Sequence, residues 1–120
     1  MTPSELLTSV RRVGDAVVID MRGEIDGGGD AAIDAAYAEA AELGGPTIVL
    51  NFEAVDYINS TGIAVIVGLL ARARRDGRTI TACGLVEHYR EIFEITRLAD
   101  FMPIFDDEAD AVGDVSARTA

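Results

Sequence analysis

DYINSTGIAVIVGLL, residues 56–70, places two adjacent hydroxyls, Ser60 and Thr61, between a polar stretch and Gly62, and a nearly unbroken apolar run follows. Just upstream, TIVLNF (47–52) is a short run rich in β-branched residues and bounded by turn formers, which predicts a buried strand. Downstream, the pattern predicts a helix over about 61–76, closed by Asp76-Gly77. Strand, turn and helix in that order make one unit of a parallel α/β sheet. The two hydroxyls then fall at the carboxyl edge of the sheet, where such folds build their binding sites.

The rest of the chain repeats the pattern. SVRRVGDAVVIDMRGEID reads as two strands around a hairpin-like turn at Gly14-Asp15, with Val17, Ile19 and Met21 alternating against Val18, Asp20 and Arg22. Gly27-Gly28-Gly29 reads as a flexible loop. DAAIDAAYAEAAELG carries Ile33, Tyr37 and Ala40 at helical spacing, with Asp30 placed to cap it and Gly44-Gly45-Pro46 to end it. RTITACG (78–84) reads as a strand, VEHYREIFEIT (86–96) as an amphipathic helix and MPIF (102–105) as a last short strand. The acids of DDEADAV suit a helix start. The tail SARTA reads as frayed. The order β-β-α-β-α-β-α-β-α predicts one α/β domain over residues 1–120, with a core at about 7–115 and short flexible ends. Its sheet is mixed and mostly parallel, of four to five strands with about four helices.

Composition narrows the function. With 10 Lys+Arg against 21 Asp+Glu, the net charge is −11. That charge argues against nucleic acid and against anionic membrane surfaces, and suits a partner with a basic patch as well as plain solubility. Cys83 is the single cysteine, so no intrachain disulfide forms and no thiolate metal site is expected; within TITACGL it reads as buried filler. The N-terminal residues lack an apolar signal region and no run is long enough to span a bilayer, which predicts a cytoplasmic location.

Ser60 and Thr61 admit two readings. A hydroxyl at a helix N-cap satisfies free backbone N–H groups. The same donors and the helix dipole also favour an anion, so a phosphate there is tolerated by the fold while it repels a partner docked over the turn. Steps of about 100° along the helix put Ile63, Ile66, Val67, Leu70 and Ala73 on the sheet-facing side. Ala64, Val65, Gly68, Leu69 and Arg72 fall off it, with no charge before Arg72. Either another helix covers that second side or a partner does.

At these residues the chain resembles a STAS domain, and in particular the bacterial anti-sigma factor antagonists. Gly23-Glu24-Ile25-Asp26 resembles the family's G-E-L-D motif, and Val55-Asp56-Tyr57-Ile58-Asn59-Ser60-Thr61-Gly62-Ile63 its V-x-[FY]-[IM]-D-S-[ST]-G-[LI] segment. Thr96-Arg97-Leu98-Ala99-Asp100-Phe101 resembles its [TS]-G-L-x-x-[LF] segment, and the likeness runs over about residues 7–115. The resemblance implies a partner switch without catalysis or cofactor of its own. The unphosphorylated antagonist binds a kinase-type anti-sigma factor of the GHKL ATPase class, which releases a sigma factor. The kinase, using ATP and Mg²⁺, phosphorylates Ser60, with Thr61 as the neighbouring alternative, and a PP2C-type phosphatase reverses the step. The implied partner surface comprises Asp26, Asn59, Ser60, Thr61, Gly62, Val65, Gly68, Leu69 and Arg72. Two departures stand out: Asn59 replaces the usual Asp, and Arg97 stands where the family often has Gly. Asn59 motivates an alternative, an unphosphorylated STAS scaffold or ligand-sensing module, which leaves room for a weak homodimer.

Other motifs carry less. Asn59-Ser60-Thr61 matches a glycosylation pattern by accident, and the triple glycine lacks a P-loop lysine. His88 lies on a different predicted helix from Ser60 and there is no G-x-S-x-G elbow, which argues against a hydrolase. The acids Asp106, Asp107, Glu108 and Asp110 lack calcium-loop spacing, and no metal site is expected.

Overall fold

The computed structural model describes residues 5–119. The chain turns at Gly14-Asp15 and lays Leu7–Val13 (β1) antiparallel against Ala16–Ile25 (β2). Asp30–Glu42 (α1) leads to Thr47–Ile58 (β3), Ser60–Arg75 (α2), Thr79–Cys83 (β4), Glu87–Ile95 (α3), Ile104–Phe105 (β5) and Glu108–Thr119 (α4). The five strands lie in the order β1-β2-β3-β4-β5, and every pair after the first is parallel. The element order and the mixed sheet are those the sequence predicts.

Strand alternation divides the apolar residues between two cores. Val17, Ile19, Met21, Ile48, Leu50, Phe52, Ile80 and Ala82 meet the buried faces of α1, α2 and α3 on one side. There Phe93, fully buried, sets its ring edge-on to Phe52 at 6.0 Å. Ala16, Val18, Val49 and Cys83 meet Ala111 and Val115 of α4 on the other. Burial pushes the Cys83 thiol up to about 11, so it stays protonated and inert, as buried filler should.

Four local expectations need correction. β3 runs on from Phe52 to Ile58 because β2 stays beside it, pairing Gly23 with Val55 and Ile25 with Ile58 across two register shifts. In that extension Glu53 and Asp56 interrupt the apolar residues and only Val55 and Ile58 turn inward, so it lacks the continuous apolar signal of the first half. Gly27–Gly29 is an ordered 3-10 turn with the Asp26 carboxylate as its cap. Asp30 makes no capping bond; it is the first residue of α1, where the helix dipole favours an acid. The tail expected to fray continues α4 through Thr119, while Ala120 lies outside the described residues.

One ion cluster ties the sheet edge to α4. The Arg11 guanidinium bonds the Asp20 carboxylate at 2.6 and 3.0 Å and also pairs with Glu108. Asn51 donates to Asp20 at 2.9 Å. The Arg11 bond, reinforced by Asn51, holds the Asp20 pKa below its ordinary value, while partial burial opposes the shift. A carboxylate with a depressed folded pKa contributes stability above its unfolded pKa, near 3.8, and loses it as pH falls through the folded value. Asp20→Asn is therefore expected to lower the urea midpoint at pH 7, and the gap to wild type should close as the pH drops below the ordinary aspartate range. A gap that stays constant with pH would contradict this linkage.

Candidate functional site

The turn from β3 to α2 lies at the carboxyl edge of the parallel sheet and is built from three short pieces of chain. Asn59 is the N-cap of α2: its backbone is extended and its Oδ1 accepts from the Gly62 N–H at 2.9 Å. Its own N–H donates to the Ile25 carbonyl at 3.2 Å, which fastens the helix start to the end of β2. An accepting side-chain oxygen is all this cap requires, so Asn serves where the resemblance has Asp. The first turn of α2 consequently carries no acid, and its dipole is uncompensated by charge.

The two hydroxyls have different surroundings. Thr61 Oγ1 donates to Asn59 Oδ1 at 2.8 Å and accepts from the Gly27 N–H at 2.9 Å. It thereby joins the 3-10 turn to the helix. The turn is closed on its other side by Asp26, whose Oδ1 accepts from the Gly28 N–H at 2.8 Å. Ser60 is exposed, and among the described residues its hydroxyl takes part in no hydrogen bond. Neither hydroxyl is the cap. Thr61→Val removes both bonds, and the expected cost is about 1 kcal/mol, in line with a solvent-accessible pair. Exchange of the Gly27 amide should quicken, as read by hydrogen exchange; an unchanged Gly27 rate would show that the turn does not depend on Thr61.

Gly62 sits where no side chain fits. A Cβ there would meet the Ile25 carbonyl oxygen at 2.0 Å and its carbon at 2.6 Å. Tyr89 of α3 closes the same corner, its hydroxyl accepting from the Ile58 N–H at 3.1 Å. Asp26, Asn59, Ser60, Thr61 and Gly62 are thus brought together on one turn.

The remaining residues of the expected surface separate. Gly68 is exposed, but Val65 is half-buried and Leu69 only 3 % exposed. Arg72 lies over the Tyr37 ring at 4.7 Å and bonds Asp34 at 3.2 Å. The second side of α2, which the pattern leaves to another helix or to a partner, is met by α1 at Arg72, while Ala64 and Gly68 on that side stay exposed. The buried face of α2 is Gly62, Ile66, Leu69 and Ala73, rotated from the face the sequence predicts. The open stripe that results is Ser60, Ala64, Val67 and Ala71, of which Val67 is 47 % exposed. Ser60 heads this uncharged stripe. Ala64, Val67 and Ala71 do not stand out in the sequence because α2 is apolar nearly all round. Small residues do not mark the buried side either, since Gly62 and Ala73 are buried while Ala64, Gly68 and Ala71 are exposed.

His88 stands exposed on α3 against Tyr89, with ring centroids 5.1 Å apart. Asp107 Oδ1 accepts from the Asp110 N–H at 2.8 Å, which places the acidic run at a helix start. Among the described residues no helix is long and apolar enough to cross a membrane.

The model of the STAS domain matches residues 8–111. BtrV of Bordetella bronchiseptica is 24% identical over 93 residues, covering 78% of this chain and 80% of that protein. The anti-sigma-B factor antagonist of Staphylococcus aureus is 33% identical over 57 residues, a match spanning 48% of this chain and 53% of that protein. Among solved structures, the Bacillus protein SpoIIAA shares the fold. Its unphosphorylated form has a TM-score of 0.67 at 21% identity, covering 90% of this chain and 96% of its own. Its phosphorylated form has a TM-score of 0.67 at 23% identity, covering 91% and 99%.

Proposed function

This chain belongs to the STAS domain family, and on that premise we propose that it is an anti-sigma factor antagonist switched by phosphorylation of Ser60. Unphosphorylated, it docks the β3–α2 turn and the open stripe of α2 on a kinase-type anti-sigma factor of the GHKL class, and a sigma factor is released. The kinase transfers the γ-phosphoryl group of Mg²⁺-bound ATP to Ser60 Oγ. The bond to ADP breaks, the Oγ–P bond forms and the hydroxyl proton leaves to a base of the kinase. The complex then separates, and a PP2C-type phosphatase hydrolyses the ester. The chain supplies the acceptor and the surface; the chemistry belongs to its partners.

The observation that carries this reading is the contrast between the two hydroxyls. Ser60 is exposed and without a hydrogen bond among the described residues, while Thr61 is held at both its donor and its acceptor. Ser60 also sits on the first turn of α2, where backbone donors and dipole favour an anion. The named antagonist among its relatives and the solved phosphorylated form of SpoIIAA support it. The test is phosphorylation of the purified chain by its cognate kinase with Mg²⁺-ATP. Ser60→Ala should bind that kinase as wild type does and take up no phosphate. Uptake at the wild-type rate would move the acceptor to another residue.

A further inference from the structure

Beside the open stripe of α2 lies a groove of about 610 Å³, a volume typical of small-molecule sites. Ile63, Val67 and Leu70 of α2 form one wall and Phe101, 60 % exposed, stands opposite. Arg74, Arg78 and Arg97 also line the groove, and no carboxylate does. In a chain with 21 acids against 10 basic residues, a lining with cations and no anions stands apart from the rest of the surface, although Arg78 and Arg97 each pair with a carboxylate just outside it.

The arginines are not committed to the fold in equal degree. Arg78 bonds the Tyr37 hydroxyl and pairs with Asp76. Arg74 lies over the Phe101 ring at 5.7 Å and pairs with no carboxylate among the described residues. Arg97 is the most telling. It follows α3 with φ at +66°, the one positive value among the described non-glycine residues. Glycine holds that conformation without penalty and is the usual residue after a helix C-cap. The one ion pair that Arg97 makes, with Asp100 at 3.0 Å, is exposed and worth little. The backbone thus bears strain at a position whose only evident gain is a cation at the mouth of an apolar groove, and strain of this kind points to a site.

We propose that this groove binds a single anionic amphiphile, a monomeric fatty carboxylate in chemical class. Its hydrocarbon body lies against Ile63, Val67, Leu70 and Phe101. Its carboxylate takes the planar donors of Arg74 and Arg97, which match it in bidentate fashion. Charge complementarity selects this occupant. A second copy or an anionic bilayer brings many like charges against this acidic surface, whereas a monomeric carboxylate brings one, which the lining arginines offset. The site does not depend on Ser60 being phosphorylated.

The test is calorimetric titration with dodecanoate below its micellar concentration, with dodecylamine as the cationic control. Dodecanoate should bind saturably, one per chain, and dodecylamine should not. Arg97→Gly should weaken dodecanoate at least tenfold while the melting temperature holds or rises, because the strain is relieved. Arg74→Glu should weaken it by as much without the gain in melting temperature. Absence of saturable binding, equal affinity for dodecylamine, or binding unchanged in both variants would overturn the proposal. So would cosedimentation with phosphatidylglycerol vesicles at concentrations where dodecanoate does not bind, which would make the groove a membrane contact.

Discussion

Ser60→Asp is expected to weaken binding to the cognate anti-sigma kinase by at least about a hundredfold, roughly 3 kcal/mol, while the domain stays folded. The two effects have opposite signs because they act on different neighbours. Toward its own chain, an acid at the first position of α2 meets free N–H groups and a dipole that no other acid in that turn compensates. That is worth about 0.3–1 kcal/mol in favour of folding. Toward a partner, the same charge sits at the head of the uncharged stripe Ser60, Ala64, Val67 and Ala71, and docking must strip its water. Phosphate carries nearly twice that charge, so the true modification should act more strongly than the mimic. Equal affinity of Ser60→Asp and wild type, measured by calorimetry with nucleotide-bound kinase, would sink the switch. A loss of affinity accompanied by a lower melting temperature would point to misfolding instead.

Gly62→Ala is expected to cost about 2 kcal/mol or more in urea unfolding. Alanine is the better helix former by about 1 kcal/mol, so propensity alone predicts stabilisation. The clash reverses the sign. The new methyl would stand 2.0 Å from the Ile25 carbonyl oxygen, a backbone atom that also accepts from the Asn59 N–H. It can retreat only by breaking the contact that seats α2, and overpacking of this kind costs 1–3 kcal/mol or more. Against a total of about 5–15 kcal/mol for an ordinary domain, the variant is left marginal. Gly68→Ala on the same helix is the control: nothing lies within 4 Å of its Cβ position, so it should gain up to about 1 kcal/mol. If both substitutions stabilise, the close approach of α2 to β2 is wrong.

What the sequence reveals follows from what its patterns encode. Period-two and period-3.6 runs, cut by Gly14-Asp15, Gly44-Gly45-Pro46 and Asp76-Gly77, are local, and they yield the element order and the parallel sheet. The second half of β3 is not local: its residues are strand only because β2 continues beside them. The facing of α2 escapes the pattern for a different reason. A helix apolar nearly all round gives no preferred side, and the choice is made by α1, through Tyr37 and Asp34 holding Arg72. The same is true of the hydroxyls. The motif places both at the turn, but what separates them is the Gly27 N–H, 34 residues away in sequence. Arg97 is the converse case. Its departure from the family's usual glycine is visible in the sequence, yet only the φ of +66° shows that the position demands a left-handed backbone.

Phosphorylation of Ser60 is the step on which the proposed switch turns. It is read most directly by mass spectrometry of the protein recovered from its native host, intact and as peptides, with and without phosphatase treatment. A gain of about 80 Da that phosphatase removes, mapped to Ser60 and absent from Ser60→Ala, is the predicted result. A phosphate mapped to Thr61, whose hydroxyl is held by Gly27 and Asn59, or none at all while the kinase is present and active, would contradict the account.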